Sequence, residues 1–457
     1  MAELLTKYQQ YAEYKDSGVE WLDVIPSHWV MSKIKYIAPF QVGWTPPTGN
    51  DSNFIGENIW ANISDLRGKV INDTVKRISD KAAKEASMDI TPKGSLLYSF
   101  KLSVGSVSFA GCDMYTNEAI ASFTSDSLLP LEYLYYVLPK FLIENASTNI
   151  YGARILNQEL IRNAIILKPT YDEAKIIANF LDHETAQIDT LIEKQQTLIQ
   201  LLKEKRQAVI SHAVTKGLSP DAPMKDSGVE WLGEVPEHWV VLRLKHLISS
   251  LDSGCSVNAA DIPAQENEIG VLKTSCVYTR AFRVEENKTV FKEDLSRVKC
   301  PIRKGAIIIS RMNTPDLVGA SAIIGVDADN IFLPDRLWQT NFNNDFDLVP
   351  DFLAYFMTIK GFRNQISLAA EGASSSMQSI SKEDYLSINC ILPPIKEQQE
   401  IIKHIEEMQS KFNDLVENAE QAIQLMQERR TALISAAVTG KIDVRGWRVS
   451  DANYESH

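Results

Sequence analysis

Two loops place side chains that can hold a phosphate or read the edge of a base beside short β-rich runs. Lys101 follows GSLLYSF at residues 94–100, and Arg311 with Asn313 follows GAIIIS at residues 305–310. A bidentate contact from such a side chain discriminates between bases by ~1–3 kcal/mol. Lys76, Arg77 and Arg154 accompany Lys101 in the first half of the chain, and Lys273, Arg280, Arg283, Arg297 and Arg336 accompany Arg311 in the second. Taken singly, each is more readily a solvated surface charge. Their setting is what singles them out: residues 273–311 hold ten Lys/Arg against four Asp/Glu, while the whole chain carries a net charge of -12. Residues 397–437 run the other way, with eight acidic and four basic residues. That balance argues against indiscriminate coating of nucleic acid and leaves room for a local basic surface.

Other chemistry is missing from the sequence. There is no GxxxxGK[ST] for ATP, no Asn-Pro-Pro-aromatic or Asp-Pro-Pro-aromatic tetrad for adenine methylation, no GxSxG and no HExxH. The seven histidines are scattered, and the five cysteines (Cys112, Cys255, Cys276, Cys300, Cys390) form no CxxC pair and read as free thiols. The expectation is a non-catalytic chain without metal or cofactor of its own. With 44% hydrophobic and 23% charged residues, the composition is that of a globular protein, and no apolar run approaches bilayer length. The first residues lack the basic start and apolar core of a secretory signal, so a cytoplasmic location is expected.

The frame around the loops is written twice. KDSGVEWLDVIPSHWV at residues 15–30 returns as KDSGVEWLGEVPEHWV at 225–240, with twelve of sixteen positions identical. LLKEKRQAVISHAVT at 201–215 returns as LMQERRTALISAAVT at 425–439, identical at nine of fifteen. The β-rich runs match as well, Lys93-Gly94 answering Lys304-Gly305, but their connections do not: Gly94 to Gly105 spans eleven positions with KLSV, and Gly305 to Gly319 spans fourteen with RMNTPDLV. A shared scaffold with unlike loops suits two modules that recognise different things; duplication followed by neutral drift gives the same pattern.

Each repeat closes on a stretch free of Gly and Pro, 173–215 and 397–439, preceded by Pro169 and by Pro393-Pro394. Apolar residues recur there at Leu181, Ile188, Leu191, Leu198, Leu202 and Val209, and at Ile405, Phe412, Leu415, Ala419, Met426 and Leu433, the ~3.5-residue spacing of a coiled-coil seam. Packing of each helix on its own domain is the alternative. A helix of about 40 residues is ~60 Å long. The nine residues Lys216 to Met224 reach only ~30 Å when stretched. That favours an antiparallel pair with the globular halves at opposite ends, unless residues 225–240 themselves run along the helix. The expected fold is α+β: two β-rich domains separated by a long antiparallel two-helix coiled coil, with a pseudo-two-fold internal repeat. The boundaries are 1–170 (first domain), 171–216 (first helix), 217–394 (linker and second domain), 395–440 (second helix) and 441–457 (tail).

KDSGVEWLGEVPEHW, the Pro-Pro before EQQEII at 393–402, and LISAAVTGKI at 433–442 together resemble the DNA specificity subunit of type I restriction-modification systems. The resemblance runs over essentially the whole chain, the first helix departing with LKPTYDEAKII where the second has LPPIKEQQEII. It implies that each globular half is a target recognition domain reading one part of an interrupted double-stranded DNA site. It further implies that the helices space the half-sites and dock two DNA adenine methyltransferase subunits, with motor-nuclease (restriction) subunits joining them. S-adenosylmethionine and ATP with Mg would then belong to those partners. The twice-used stretch holds Trp21, Trp29, Trp231 and Trp239, half of the eight tryptophans. It reads as a strap between helices and domain, or as part of two equivalent docks in which Trp21, Trp231, Arg206 and Arg430 meet partners. The rival functions are a coiled-coil protein-interaction adaptor with no DNA contact, which the acidity would suit, and a stand-alone DNA-modifying enzyme with an unrecognised site.

Overall fold

Short apolar runs build the sheets, and the two stretches without Gly or Pro build the long helices. The structure is a computed structural model and describes residues 8–101, 104–148, 154–374 and 377–448. It divides into two compact units, Met1–Gln195 with Gln421–His457, and Gln196–Glu420. The long helices are α1 (Tyr171–Lys216) and α2 (Ile395–Val438). Each unit therefore combines one repeat's globular segment, the start of that repeat's helix and the end of the other repeat's helix.

Unit 1 carries a five-stranded sheet in the order Phe40–Val42, Ile120–Phe123, Leu96–Ser99, Val107–Ala110, Val70–Ile71. Its strand Leu96–Ser99 is buried throughout, so alternate residues serve different cores. Leu96 and Tyr98 pack with Tyr133, Leu134, Val137 and Phe141 of the helix Leu131–Glu144, whereas Leu97 joins Ala61, Met114 and Ile120 on the other face. Unit 2 repeats the plan with a four-stranded sheet in the order Ile248–Ser253, Leu337–Phe342, Ile307–Ser310, Ser321–Ile323. There Ile307 and Ile309 face Phe352, Phe356 and Phe362, and Ile308 faces Leu272, Ile302 and Ile331.

The duplicated stretch fastens the helices to these cores. In unit 1 the buried Trp29 donates its indole N–H to Glu173 Oε1 (3.0 Å), Tyr11 donates its hydroxyl to the same oxygen (2.8 Å), and His28 Nε2 lies 2.9 Å from Oε2. Glu173 sits in the first turn of α1, where Thr170 Oγ1 accepts its backbone N–H, and the helix dipole favours its negative charge. In unit 2 Trp239 donates to Glu397 Oε2 (2.8 Å), and His238 Nε2 pairs with Oε1, in the first turn of α2. The six-membered ring of each tryptophan meets the end of the other long helix. A Cβ at Gly440 would lie 3.3 Å from Trp29 and one at Gly217 3.3 Å from Trp239, and both glycines close their helices at positive φ (72° and 78°). Beyond Gly440 the chain stays on unit 1: Ile442 and Val444 are buried in its core, and Asp443 N–H donates to Gln9 O (2.7 Å).

The inward faces of the helices differ from the expected seam at three places. Leu191, Leu198 and Leu415 are exposed (51%, 43% and 49%), and the adjacent Ile192, Ile199 and Val416 are half-buried instead. Each sits in an apolar pair, and either member fits alternating three- and four-residue steps, so apolar spacing alone does not choose which one turns inward. Within unit 1 Arg430 of α2 donates to both oxygens of Asp189 on α1 (2.9 and 3.2 Å), and within unit 2 Arg206 of α1 donates to Asn413 Oδ1 of α2 (3.0 Å). Arg430 and Asp189 remain 34% and 53% exposed. A double-mutant cycle on them is expected to give a coupling below ~1 kcal/mol, read from denaturant midpoints; a larger value would make the pair a fastener in its own right.

Candidate nucleic-acid interface

In unit 2 the strand Ile307–Ser310 leaves the sheet through Arg311 and enters the short strand Met312–Asn313. That strand pairs with Met377–Ser379, Met312 opposite Ser379 and Asn313 opposite Gln378, and Met377–Ser379 pairs in turn with Glu371–Ser374. Arg311 is tied in by its backbone: its N–H donates to Arg336 O (3.0 Å), and its carbonyl accepts from Ile380 N–H (3.0 Å). The Asn313 amide donates to Tyr278 Oη (2.8 Å), which is 2.7 Å from Thr274 Oγ1. Asn313 Oδ1 accepts from Thr314 N–H (2.9 Å). The structure thus gathers Arg311, Asn313 and the backbone of exposed Arg336, and adds Tyr278 and Gln378, which the sequence reading did not single out.

The remaining unit 2 candidates face protein groups. Lys273 pairs with Asp261 (2.7 Å), Arg297 with Asp294 (2.7 Å), and Arg283 with Glu286 (3.5 Å) and the Ser275 carbonyl (3.2 Å). Arg280 donates to the Thr358 carbonyl (2.9 Å) and Gln207 Oε1 (3.2 Å), holding its loop to α1, and its burial lowers the guanidinium pKa. In unit 1 Arg77 pairs with Asp73 (2.9 Å) and Glu57 (3.5 Å), Lys76 lies over the Phe54 ring (5.5 Å), and Lys101 over Phe100 (5.9 Å). Arg154 donates to the Ile143 carbonyl (2.6 Å) beside Glu144 (3.5 Å). Of the loop 101–104, Leu102 and Ser103 lie outside the described residues.

Hydrogen bonds align the two halves residue by residue. Ser99 N–H donates to Ser106 O and accepts at its own carbonyl from Gly105; Ser310 does the same with Ala320 and Gly319. Ser99 therefore matches Ser310, and buried Phe100, not Lys101, stands where Arg311 stands. Asn157 caps the helix Gln158–Asn163 just as Ser381 caps Lys382–Ser387, and buried Leu156 and Ile380 precede the caps. Counting back, Arg154 matches Gln378.

The four residues considered for partner docking also have partners within their units. Trp21 meets Phe141 edge-on (5.2 Å) while 36% exposed, half-buried Trp231 packs near Phe356 (6.0 Å), and Arg206 and Arg430 make the helix contacts above. Among the described residues no cluster of three or more His, Cys, Asp or Glu could hold a metal ion, and no helix is long and apolar enough to cross a membrane.

The chain matches the profile of the type I restriction modification DNA specificity domain over residues 26–201 and again over 236–425. It belongs to this family. Among specificity subunits it is similar to that of the type I restriction enzyme EcoKI from Escherichia coli strain K12, 26% identical over 319 residues that cover 67% of this chain and 63% of the relative. It is also similar to the MjaIX specificity subunit of Methanocaldococcus jannaschii, 25% identical over 280 residues covering 59% and 62%. With the EcoEI specificity subunit of Escherichia coli the match takes in 41% of the relative's length. Among solved structures, the HsdS subunit from Thermoanaerobacter tengcongensis aligns over 92% of this chain and 98% of its own at a TM-score of 0.52 and 14% identity. A chain from a structure of the type I R-M system, solved for its assembly and conformational transition, aligns over 91% and 98% at a TM-score of 0.66 and 13% identity. At these identities the likeness to the solved structures is one of fold: two repeated domains of mixed α and β structure.

Proposed function

We propose that this specificity-subunit family member is the non-catalytic DNA-reading component of a type I restriction-modification complex, each compact unit reading one half of an interrupted double-stranded site. α1 and α2 act as an antiparallel coiled-coil spacer between the readers. Two adenine methyltransferase subunits and the motor-nuclease subunits dock on the chain, and these hold S-adenosylmethionine and ATP with Mg. The observation that carries the reading is the contrast within a repeated frame. The strap, helix start and helix end coincide in both units, whereas the matched positions after the central strand and before the helix cap differ, Phe100 for Arg311 and Arg154 for Gln378. Within each unit a side-chain contact joins α1 to α2, Arg430 to Asp189 in unit 1 and Arg206 to Asn413 in unit 2, which supports pairing of the two helices.

The test is selection from random duplex DNA by the chain with and without its methyltransferase partner. A two-part motif enriched by the complex is the expected result, with weaker enrichment by the chain alone because its net charge of -12 supplies little counterion release. Absence of any motif in both states would leave the protein-interaction adaptor as the reading.

A further inference from the structure

We infer, on the basis of that reading, that Gln378 is a specificity-determining residue for the second half-site, contacting the edge of an adenine, and that Arg154 is its counterpart for the first. Gln378 lies directly opposite Asn313 on the antiparallel pair, so both side chains project from the same face of the small sheet. On that face Asn313, Tyr278 and Thr274 satisfy one another in a chain of hydrogen bonds. Gln378 Oε1 does not join them: it is buried and has no hydrogen-bond partner among the described residues, and neither has Arg311 Nε. A buried acceptor left unpaired is costly, and native structures retain few of them. Turned out from that buried position toward a bound duplex, a carboxamide with no protein partner for its oxygen would offer an acceptor and a donor side by side, the pattern complementary to adenine N7 and N6 in the major groove.

The comparison between halves points the same way. The apolar residue two positions on (Leu156, Ile380) and the helix cap after it (Asn157, Ser381) are kept in kind, while Arg154 stands in place of Gln378. Arg154 is oriented through one nitrogen, which donates to the Ile143 carbonyl and lies 3.5 Å from Glu144. A guanidinium has five N–H groups, so most remain for a base edge, and the preferred partner is guanine O6 and N7.

Duplex selection with the full chain bound to its methyltransferase subunits tests this, comparing the wild type with Gln378→Ala, Gln378→Arg and Arg154→Ala. For Gln378→Ala, discrimination should fall roughly 5- to 150-fold at one base pair of the second half-site, with the other positions of that half-site unchanged as the internal control for folding of unit 2. Gln378→Arg should replace the base preferred at that position, and Arg154→Ala should relax one position of the first half-site only. A wild-type two-part motif that both Gln378 variants reproduce unchanged would overturn the inference and leave the DNA-reading function standing. Absence of any motif with the wild type would overturn both.

Discussion

Glu173→Ala is expected to lower the melting temperature of unit 1 by roughly 6–12 °C, the equivalent of about 3 kcal/mol for a unit of this size. The side chain is 4% exposed and accepts from the Trp29 indole and the Tyr11 hydroxyl, both themselves buried. Its removal strands two buried donors at ~1–3 kcal/mol each and withdraws the charge that complements the start of α1. Glu397→Ala should cost unit 2 only about 1 kcal/mol, because Glu397 and His238 are 36% and 46% exposed, water can replace the partner His238 loses, and the Trp239 N–H alone is a buried donor left unpaired. Glu173→Gln should recover most of the loss, since one amide oxygen can still serve both Trp29 and Tyr11. Calorimetry on the three variants decides the matter: equal, small shifts for both alanine changes would mean that the duplicated strap holds the helices by apolar packing alone.

How legible this was in the sequence depends on what kind of contact is asked about. The duplication announced a shared device, and the composition of its stretches pointed to a strap, yet nothing in the letters showed that Trp29 would close on Glu173, 144 positions away, and on Gly440 from the other repeat. Periodicity reports that a face is apolar and not what covers it. The same limit explains the seam: Leu191-Ile192, Leu198-Ile199 and Leu415-Val416 satisfy the pattern with either member inward. In the interface, charge drew the eye to Arg280, whose partner is a carbonyl 78 positions distant, and away from Gln378, a neutral amide in a serine-rich run. The one signal that could have found Gln378 was positional: in both halves the residue three before a helix cap is a long hydrogen-bonding side chain.

On the proposed reading the largest functional effect belongs to the helices. Inserting seven residues at matched points, near Gln196 in α1 and Ile423 in α2, is expected to lengthen the required gap between half-sites by about three base pairs, since seven residues rise ~10.5 Å and each base pair ~3.4 Å. A whole heptad keeps the seam in phase, so Ile192, Ile199 and Met426 still face inward, whereas three or four residues rotate it. Binding to the original site should fall by about 100-fold or more, because only one half-site can then be engaged at a time, and selection should return the same two half-sites at the new separation. Insertion into one helix alone puts the two strands out of register and should cost stability without defining any new gap. If the double insertion left the separation unchanged, the distance between readers would have to be set by the partner subunits or by the DNA, and α1 and α2 would be a fastening between the repeats instead of a ruler.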